Sequence, residues 1–258
     1  MLLAVDVGNT NITFGVYDGE KLIADWRISS DVKRTSDEYA IIIKGLLDNT
    51  SLSVAQLDGF ALCSVIPRTI APLLEFAKKY LKIKKPFLLT PEADLGIQIN
   101  YEPKTDVGAD RLANAVAAHA LYKGSVIVVD LGTATTFDAI SANGDYLGGA
   151  IAPGIEISIE ALVAKAAQLR RVQFVTPPNA IGSTTVTSLQ SGVVYGFAGQ
   201  VDRIVEQFQK ELGGNARVVA TGGLAELIAP HSRAIQEINL MITLEGLRLA
   251  YERSRTKD

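Results

Sequence analysis

A single cysteine, Cys63, leaves the chain no partner for an internal disulfide, which points to a reducing compartment. His119 and His231 are the only histidines, and no cysteine or second histidine stands at ligand spacing from either, so neither reads as a zinc site. Glycine-rich loops of the two commoner nucleotide-binding kinds are missing: there is no GxxxxGK followed by Ser or Thr, and no GxGxxG. Charge of one sign is missing too. A net charge of -3 gives no electrostatic footprint for nucleic acid or an acidic membrane. The first apolar run is short, interrupted by Asp6 and preceded by no basic residue, which does not describe a signal peptide. One long stretch, Val172 to Val201, has no charged residue, but Pro177, Pro178, Asn179 and many Ser, Thr and Gln side chains would make membrane insertion costly. With 48% hydrophobic and 21% charged residues, the chain reads as a soluble, cytoplasmic, globular protein able to bury a substantial core.

What is present is a repeated grammar. MLLAVDV, ITFGVYD and LIADWRI read as three successive strands, with turns at Gly8–Asn11 and Asp18-Gly19. A helix is expected from Ser36 to Leu47, with Ser36 as its N-cap and Tyr39, Ile42, Ile43 and Leu46 at helical spacing. A short strand at Gly59–Cys63, a helix from Thr69 to Tyr80 and a strand at Pro86–Leu89 follow. In the second half SVIVVDLG, TTFDAIS and YLGGAIA read as strands, with Asn143-Gly144 as a hairpin turn. Helices are expected over Ile155–Lys165, Ser188–Leu212 and Asn239–Arg253, and a last strand over Arg217–Ala220 ends in TGG.

The halves overlay. AVDVGNTNITFGVYDG and VVDLGTATTFDAISANG both run from an apolar strand to Asp, Gly and a small polar cluster, then to a second strand and a turn. Asp6 matches Asp130 and Gly8 matches Gly132. This pattern implies a duplicated α/β domain, with lobes at 1–118 and 119–258 and a cleft between them. Chance similarity of two strand-turn-strand units is the competing reading of the spacing alone. Tight hairpins at strand ends can wrap phosphates through backbone N–H groups, with glycine allowing close approach. An aspartate in each could hold magnesium, which keeps several waters and takes one or two carboxylates.

On these residues the chain resembles the actin, sugar kinase and heat-shock ATPase superfamily, which implies that the two lobes are ribonuclease H-like, actin-like ATPase domains. Within it DVGNTN, GADR at 108–111, VDLGTATTFD at 129–138, GGAIAPG at 148–154 and ATGG at 220–223 resemble type III pantothenate kinases, nearly end to end and in order. The resemblance implies ATP-dependent phosphorylation of pantothenate to 4′-phosphopantothenate, the first step of coenzyme A synthesis. It also implies a homodimer, a divalent metal such as Mg2+, and a monovalent cation, K+ or NH4+.

By that resemblance Asp110 is the catalytic residue that receives the attacking hydroxyl's proton. Its place after Gly108, in the first turn of an alanine-rich helix, favours an ionised carboxylate. The bland alternative is a charge at a helix start. Tyr101, Gly108, Ala109, Asp110, Arg111 and Thr185 are implied to contact pantothenate, although Thr184 leaves the register at Thr185 open. Asp6, Val7, Gly8, Asn9, Thr10, Asn11, Ile12, Thr13 and Thr133 are implied to bind ATP, and Asp130 to ligate the monovalent cation. Gly222 and Gly223 are placed near the adenosine. Cys63 reads as a buried structural thiol. Gly192, Gly196 and Gly199 lie along one helix, which fits either a dimer interface or a core helix. Two other functions compete: a non-catalytic accessory protein, and a sugar kinase or phosphatase on the same fold.

Overall fold

The computed structural model describes residues 1–166 and 168–256. Among these residues ten strands form two five-stranded sheets. The first contains β1 (Leu2–Val7), β2 (Asn11–Asp18), β3 (Lys21–Ser29), β4 (Gly59–Ser64) and β5 (Phe87–Leu88), in the order β3-β2-β1-β4-β5. The second contains β6 (Val126–Leu131), β7 (Ala134–Ile140), β8 (Tyr146–Pro153), β9 (Arg217–Thr221) and β10 (Glu237–Ile238), in the order β10-β9-β6-β7-β8. Read from β8, the second sheet has the wiring of the first. Each has an antiparallel meander of three strands whose first member also pairs in parallel with a fourth. The expected doubled α/β fold is therefore present.

Alternation builds each sheet. Leu3, Val5 and Val7 of β1 point into one core with Phe14, Phe60 and Leu62. In β6, Ile127, Val129 and Leu131 do the same with Phe137, Val218 and Ala220. Asp6 and Asp130 stand on the opposite faces because side chains alternate along a strand. The helices are α1 (Ser36–Asp48), α2 (Pro67–Lys79), α3 (Ala109–Leu121), α4 (Ile155–Lys165), α5 (Thr185–Glu211), α6 (Ala225–Ile228) and α7 (Ile242–Arg255).

Several ends differ from expectation for local reasons. Thr35, not Ser36, caps α1, because Thr35 and Glu38 form a reciprocal capping box: Glu38 N donates to Thr35 Oγ1 at 3.3 Å and Thr35 N to Glu38 Oε2 at 2.8 Å. Helix α2 starts at Pro67, whose fixed φ suits a first helical position. Helix α5 starts at Thr185, where Thr184 accepts from Thr187 N at 3.2 Å.

The chain divides into two compact units, Met1–Ala117 with Ile242–Asp258, and Ala118–Met241. The sequence reading placed α7 in the second lobe, and here it packs in the first unit, against β1, β2 and β4. The reason lies in two strand glycines. A Cβ at Gly15 would lie 2.8 Å from Leu244 Cδ1, and one at Gly59 would lie 2.5 Å from Tyr251 Oη. Their missing side chains leave the groove that α7 fills.

An ion network reinforces that seat. Arg248 is 4% exposed, bonds both carboxylate oxygens of Glu252 at 2.8 and 2.7 Å, pairs with Glu245, and lies 5.7 Å from the Tyr17 ring centroid. Replacing Arg248 with Met should lower stability by about 2 kcal/mol. That is less than a fully buried pair would lose, because the Glu252 side chain is 44% exposed and can be rehydrated. A lower urea midpoint at unchanged slope is the readout. An unchanged midpoint would show that helix packing alone seats α7.

Candidate active site

In the first unit β1 ends at Asp6 and Val7, and the chain turns back through Gly8 to Asn11. Gly8 N donates to Asn11 O at 2.9 Å, and a Cβ on Gly8 would sit 3.2 Å from that oxygen. Ser30 fastens the turn: its Oγ donates to Gly8 O at 2.6 Å and its N to Thr10 O at 2.8 Å. With those carbonyls engaged, the rim of the turn offers Asn9, Thr10 and Asn11, all exposed. Val7 and Ile12 are fully buried, so they can serve a ligand only through the backbone. Thr13 is half-buried and lies opposite Asp6 in the ladder. Ser30 carried no sequence signal, being one serine at a strand end.

Asp110 lies in the first turn of α3. Its Oδ1 accepts from Arg111 N at 2.8 Å, and Gly108 O accepts from Leu112 N at 3.2 Å to open the helix. A Cβ on Gly108 would collide with the Asp110 carboxylate, so glycine at 108 is a steric condition for that placement. Burial pushes the Asp110 carboxyl above its usual range, opposed by the Arg111 N–H and guanidinium. Arg111 is 6% exposed, and Tyr101 is half-buried in the loop before it. A cavity of about 290 Å³ opens beside this turn, walled by Ser64, Val65, Thr90, Pro91, Gly108 and Ala109.

Asp6 and Asp110, distant in sequence, both act on the charge of one residue. Cys63 on β4 is the ladder neighbour of Asp6 and is fully buried. Its thiol is held well above the usual range, first by burial and then by the charges of Asp6 and Asp110, with a hydrogen bond to Asp6. The thiol therefore stays protonated, which agrees with the structural reading of Cys63 and removes it as a nucleophile.

The second unit builds the matching hairpin. Asp130 ends β6 between Thr136 of β7 and Thr221 of β9. Gly132 N donates to Ala134 O at 3.1 Å to close the turn that carries Thr133. Three glycines press on this hairpin. A Cβ on Gly132 would lie 3.1 Å from Asp130 Oδ1. One on Gly222, which has φ +91°, would collide with that same oxygen, and one on Gly154 would lie 2.6 Å from Gly132 O. Glycine at these positions leaves the room that the Asp130 carboxylate and the Thr133 backbone occupy.

Thr185 is exposed at the first position of α5, whereas Thr184 spends its hydroxyl on the helix cap. Of the two, Thr185 is the one whose hydroxyl does not cap the helix. His119 packs against Gly144, and His231 Nε2 lies 3.0 Å from Thr176 Oγ1. Among the described residues no three His, Cys, Asp or Glu side chains gather as a metal cage. Magnesium does not need one: it is held by one or two carboxylates with phosphate and water oxygens, and Asp6 in the first unit and Asp130 in the second are each a carboxylate of that kind.

Comparison with known proteins agrees with these motifs. The type III pantothenate kinase family model matches residues 2–207. A type III pantothenate kinase from Moorella thermoacetica is 50% identical over 254 residues, covering 98% of this chain and 100% of that protein. One from an Exiguobacterium species is 47% identical over 255 residues, covering 99% and 100%. Among solved structures, a Baf family transcriptional activator from Campylobacter jejuni superposes with a TM-score of 0.59 at 21% identity, covering 98% of this chain and 99% of its own. A ROK hexokinase from Thermus thermophilus gives 0.56 at 15% identity, covering 100% and 99%. These two likenesses speak for the fold alone. No helix among the described residues is long and apolar enough to cross a membrane. On the family match and on full-length identity near one half, this chain belongs to the type III pantothenate kinase family.

Proposed function

We propose that the chain transfers the γ-phosphoryl group of ATP to pantothenate, forming 4′-phosphopantothenate for coenzyme A synthesis. The observation that carries this reading is the family match, which runs through GADR and both DxG hairpins. Phosphoryl transfer asks for in-line positioning, charge neutralisation and a group to take or direct the hydroxyl proton. Asp110 takes that proton, and the Gly108 gap and helix start hold its carboxylate in place. Arg111 offers a guanidinium to the carboxylate of pantothenate or to the phosphoryl group in transit. Tyr101, Gly108, Ala109 and Thr185 complete the pantothenate contacts, and the cavity beside Gly108 gives the substrate room in the first unit.

The turn from Asp6 to Thr13 receives ATP phosphates through backbone N–H groups and short side chains, and Thr133 contacts ATP from the second hairpin. Asp6 and Asp130 are the carboxylates suited to cations there, with Asp130 holding potassium or ammonium. Bound magnesium and the monovalent cation supply charge neutralisation that no P-loop lysine provides in this chain. A homodimer fits the surface. Of thirteen exposed large hydrophobic residues among the described residues, eight fall between Leu147 and Tyr195, on or near the edge strand β8, α4 and α5. Gly192, Gly196 and Gly199 add exposed positions on α5 where a partner backbone can approach. A sedimentation mass of two chains is the check.

The test of function is a labelled-ATP assay with pantothenate set against a panel of hexoses. Product is expected with pantothenate alone, at a rate raised by potassium or ammonium. Faster transfer to a sugar would return the chain to a general kinase of the same fold. Transfer to nothing would favour an accessory role.

A further inference from the structure

We propose that Asn114, Thr243 and Gly246 form a brace that sets the position of Asp110 relative to the end of β1, making them positioning residues for the transfer. The proposal rests on the reading of Asp110 as the proton acceptor. Asp110 and Asn114 are one helical turn apart, so they share a face of α3. Asn114 is 1% exposed, and its Oδ1 accepts from Thr243 Oγ1 at 2.8 Å. One turn along α7, Gly246 meets the α3 backbone itself. A Cβ there would lie 2.5 Å from the carbonyl carbon of Ala113 and would collide with the attached oxygen. Backbone cannot swing aside as a side chain can, so any larger residue must move one helix off the other.

The other side of α7 is fixed to the sheet. Ile242, Leu244, Leu247 and Ala250 are buried, and α7 packs on β1, β2 and β4. The chain of support therefore runs from the sheet through α7 to α3. Asp6 ends β1 of that sheet and Asp110 starts α3, and Cys63 feels both carboxylates. The thickness of the α7–α3 contact is what sets the gap between the phosphate-facing turn and the proton acceptor. In-line transfer is sensitive to that gap, since a misplacement of about 1 Å can lower rate about 10²-fold. Glycine at 246 gives the smallest spacing, and the Asn114–Thr243 bond fixes rotation and slip along the contact. Neither residue is needed merely to bury apolar surface, for which alanine and valine would serve.

The experiment compares Gly246→Ala, Thr243→Val and Thr243→Ser with the parent, each alone and in an Asp110→Asn background. Folding is checked by circular dichroism, and amide exchange is followed across α3. In Gly246→Ala, kcat should fall about 10²-fold while KM for ATP stays within a few-fold. Thr243→Val should lose about fivefold in kcat, the scale of one buried hydrogen bond, and speed amide exchange in the first turns of α3. Thr243→Ser should return kcat to the parent value. In the Asp110→Asn background the same changes should add little, because both would act through one group. If Gly246→Ala does not fold, the Thr243 pair decides. Parental kcat in Thr243→Val beside an inactive Asp110→Asn overturns the brace alone. Equal losses in both backgrounds mean a structural role and overturn it as well. An active Asp110→Asn overturns the reading on which the brace depends.

Discussion

Asp110→Asn is expected to leave the fold and ATP binding intact while kcat falls about 10²–10⁴-fold, the range for losing a general base. The substitution keeps the size of the side chain and supplies an amide oxygen where the Asp110 carboxylate oxygen accepts from Arg111 N, so the helix start should survive. On the proposed role of Asp110, asparagine cannot take its place as acceptor of the hydroxyl proton. The pH dependence sharpens the prediction. Burial raises the folded-state pKa of Asp110, so the acid form persists to a higher pH than in an exposed aspartate. The activity limb of this group should therefore rise with pH above the ordinary carboxylate range. The sign for stability is opposite: a raised carboxyl pKa favours the fold at low pH, and that contribution fades as pH climbs from the unfolded to the folded pKa. A pH profile of kcat/KM that loses its acidic limb in Asp110→Asn would tie the limb to this residue. Activity within a few-fold of the parent would remove Asp110 from the mechanism.

Much of this arrangement was legible in the sequence because its signals are local. Each DxG hairpin announces itself by an apolar run, an aspartate and a glycine, and the structure places both at the ends of β1 and β6 in sheets of identical wiring. The start of α3 was equally plain, since Gly108 breaks the chain before an alanine-rich run. What was hidden depends on contacts between distant segments. That Cys63 feels both Asp6 and Asp110 depends on the parallel pairing of β1 with β4 and on the start of α3 coming near β4, and no local pattern states either. The place of α7 turned on Gly15 and Gly59, which read as ordinary strand glycines until the helix side chains that fill their space are seen. The strand β10, with two residues, is too short to carry a period. The capping of α1 by Thr35 was missed because Ser36 beside it is as good a cap by residue type. Only Glu38, three residues after Thr35, separates them.

Gly222→Ala is the second change expected to have a large effect, and it probes the other hairpin. Gly222 sits at φ +91°, where an L side chain costs roughly 1–2 kcal/mol. Strain is the smaller part. The added Cβ would strike Asp130 Oδ1 and come within 2.6 Å of the Leu131 carbonyl carbon, so either the carboxylate or the end of β9 must shift. Leu224 N, which donates to Leu131 O at 3.3 Å, ties the segment after β9 to that same backbone and limits the retreat. On the proposed roles, a displaced Asp130 should lower kcat/KM for ATP about 10²-fold and weaken activation by potassium or ammonium, while pantothenate KM changes little. Asp130→Asn separates the two causes, because it leaves the backbone in place and removes only the charge. It should abolish most of the cation activation without the loss of stability seen in Gly222→Ala. Parental ATP kinetics in a folded Gly222→Ala would show that the hairpin tolerates movement at Asp130. Full potassium dependence in Asp130→Asn would move the cation to another ligand, and the glycines around this carboxylate would then serve packing alone.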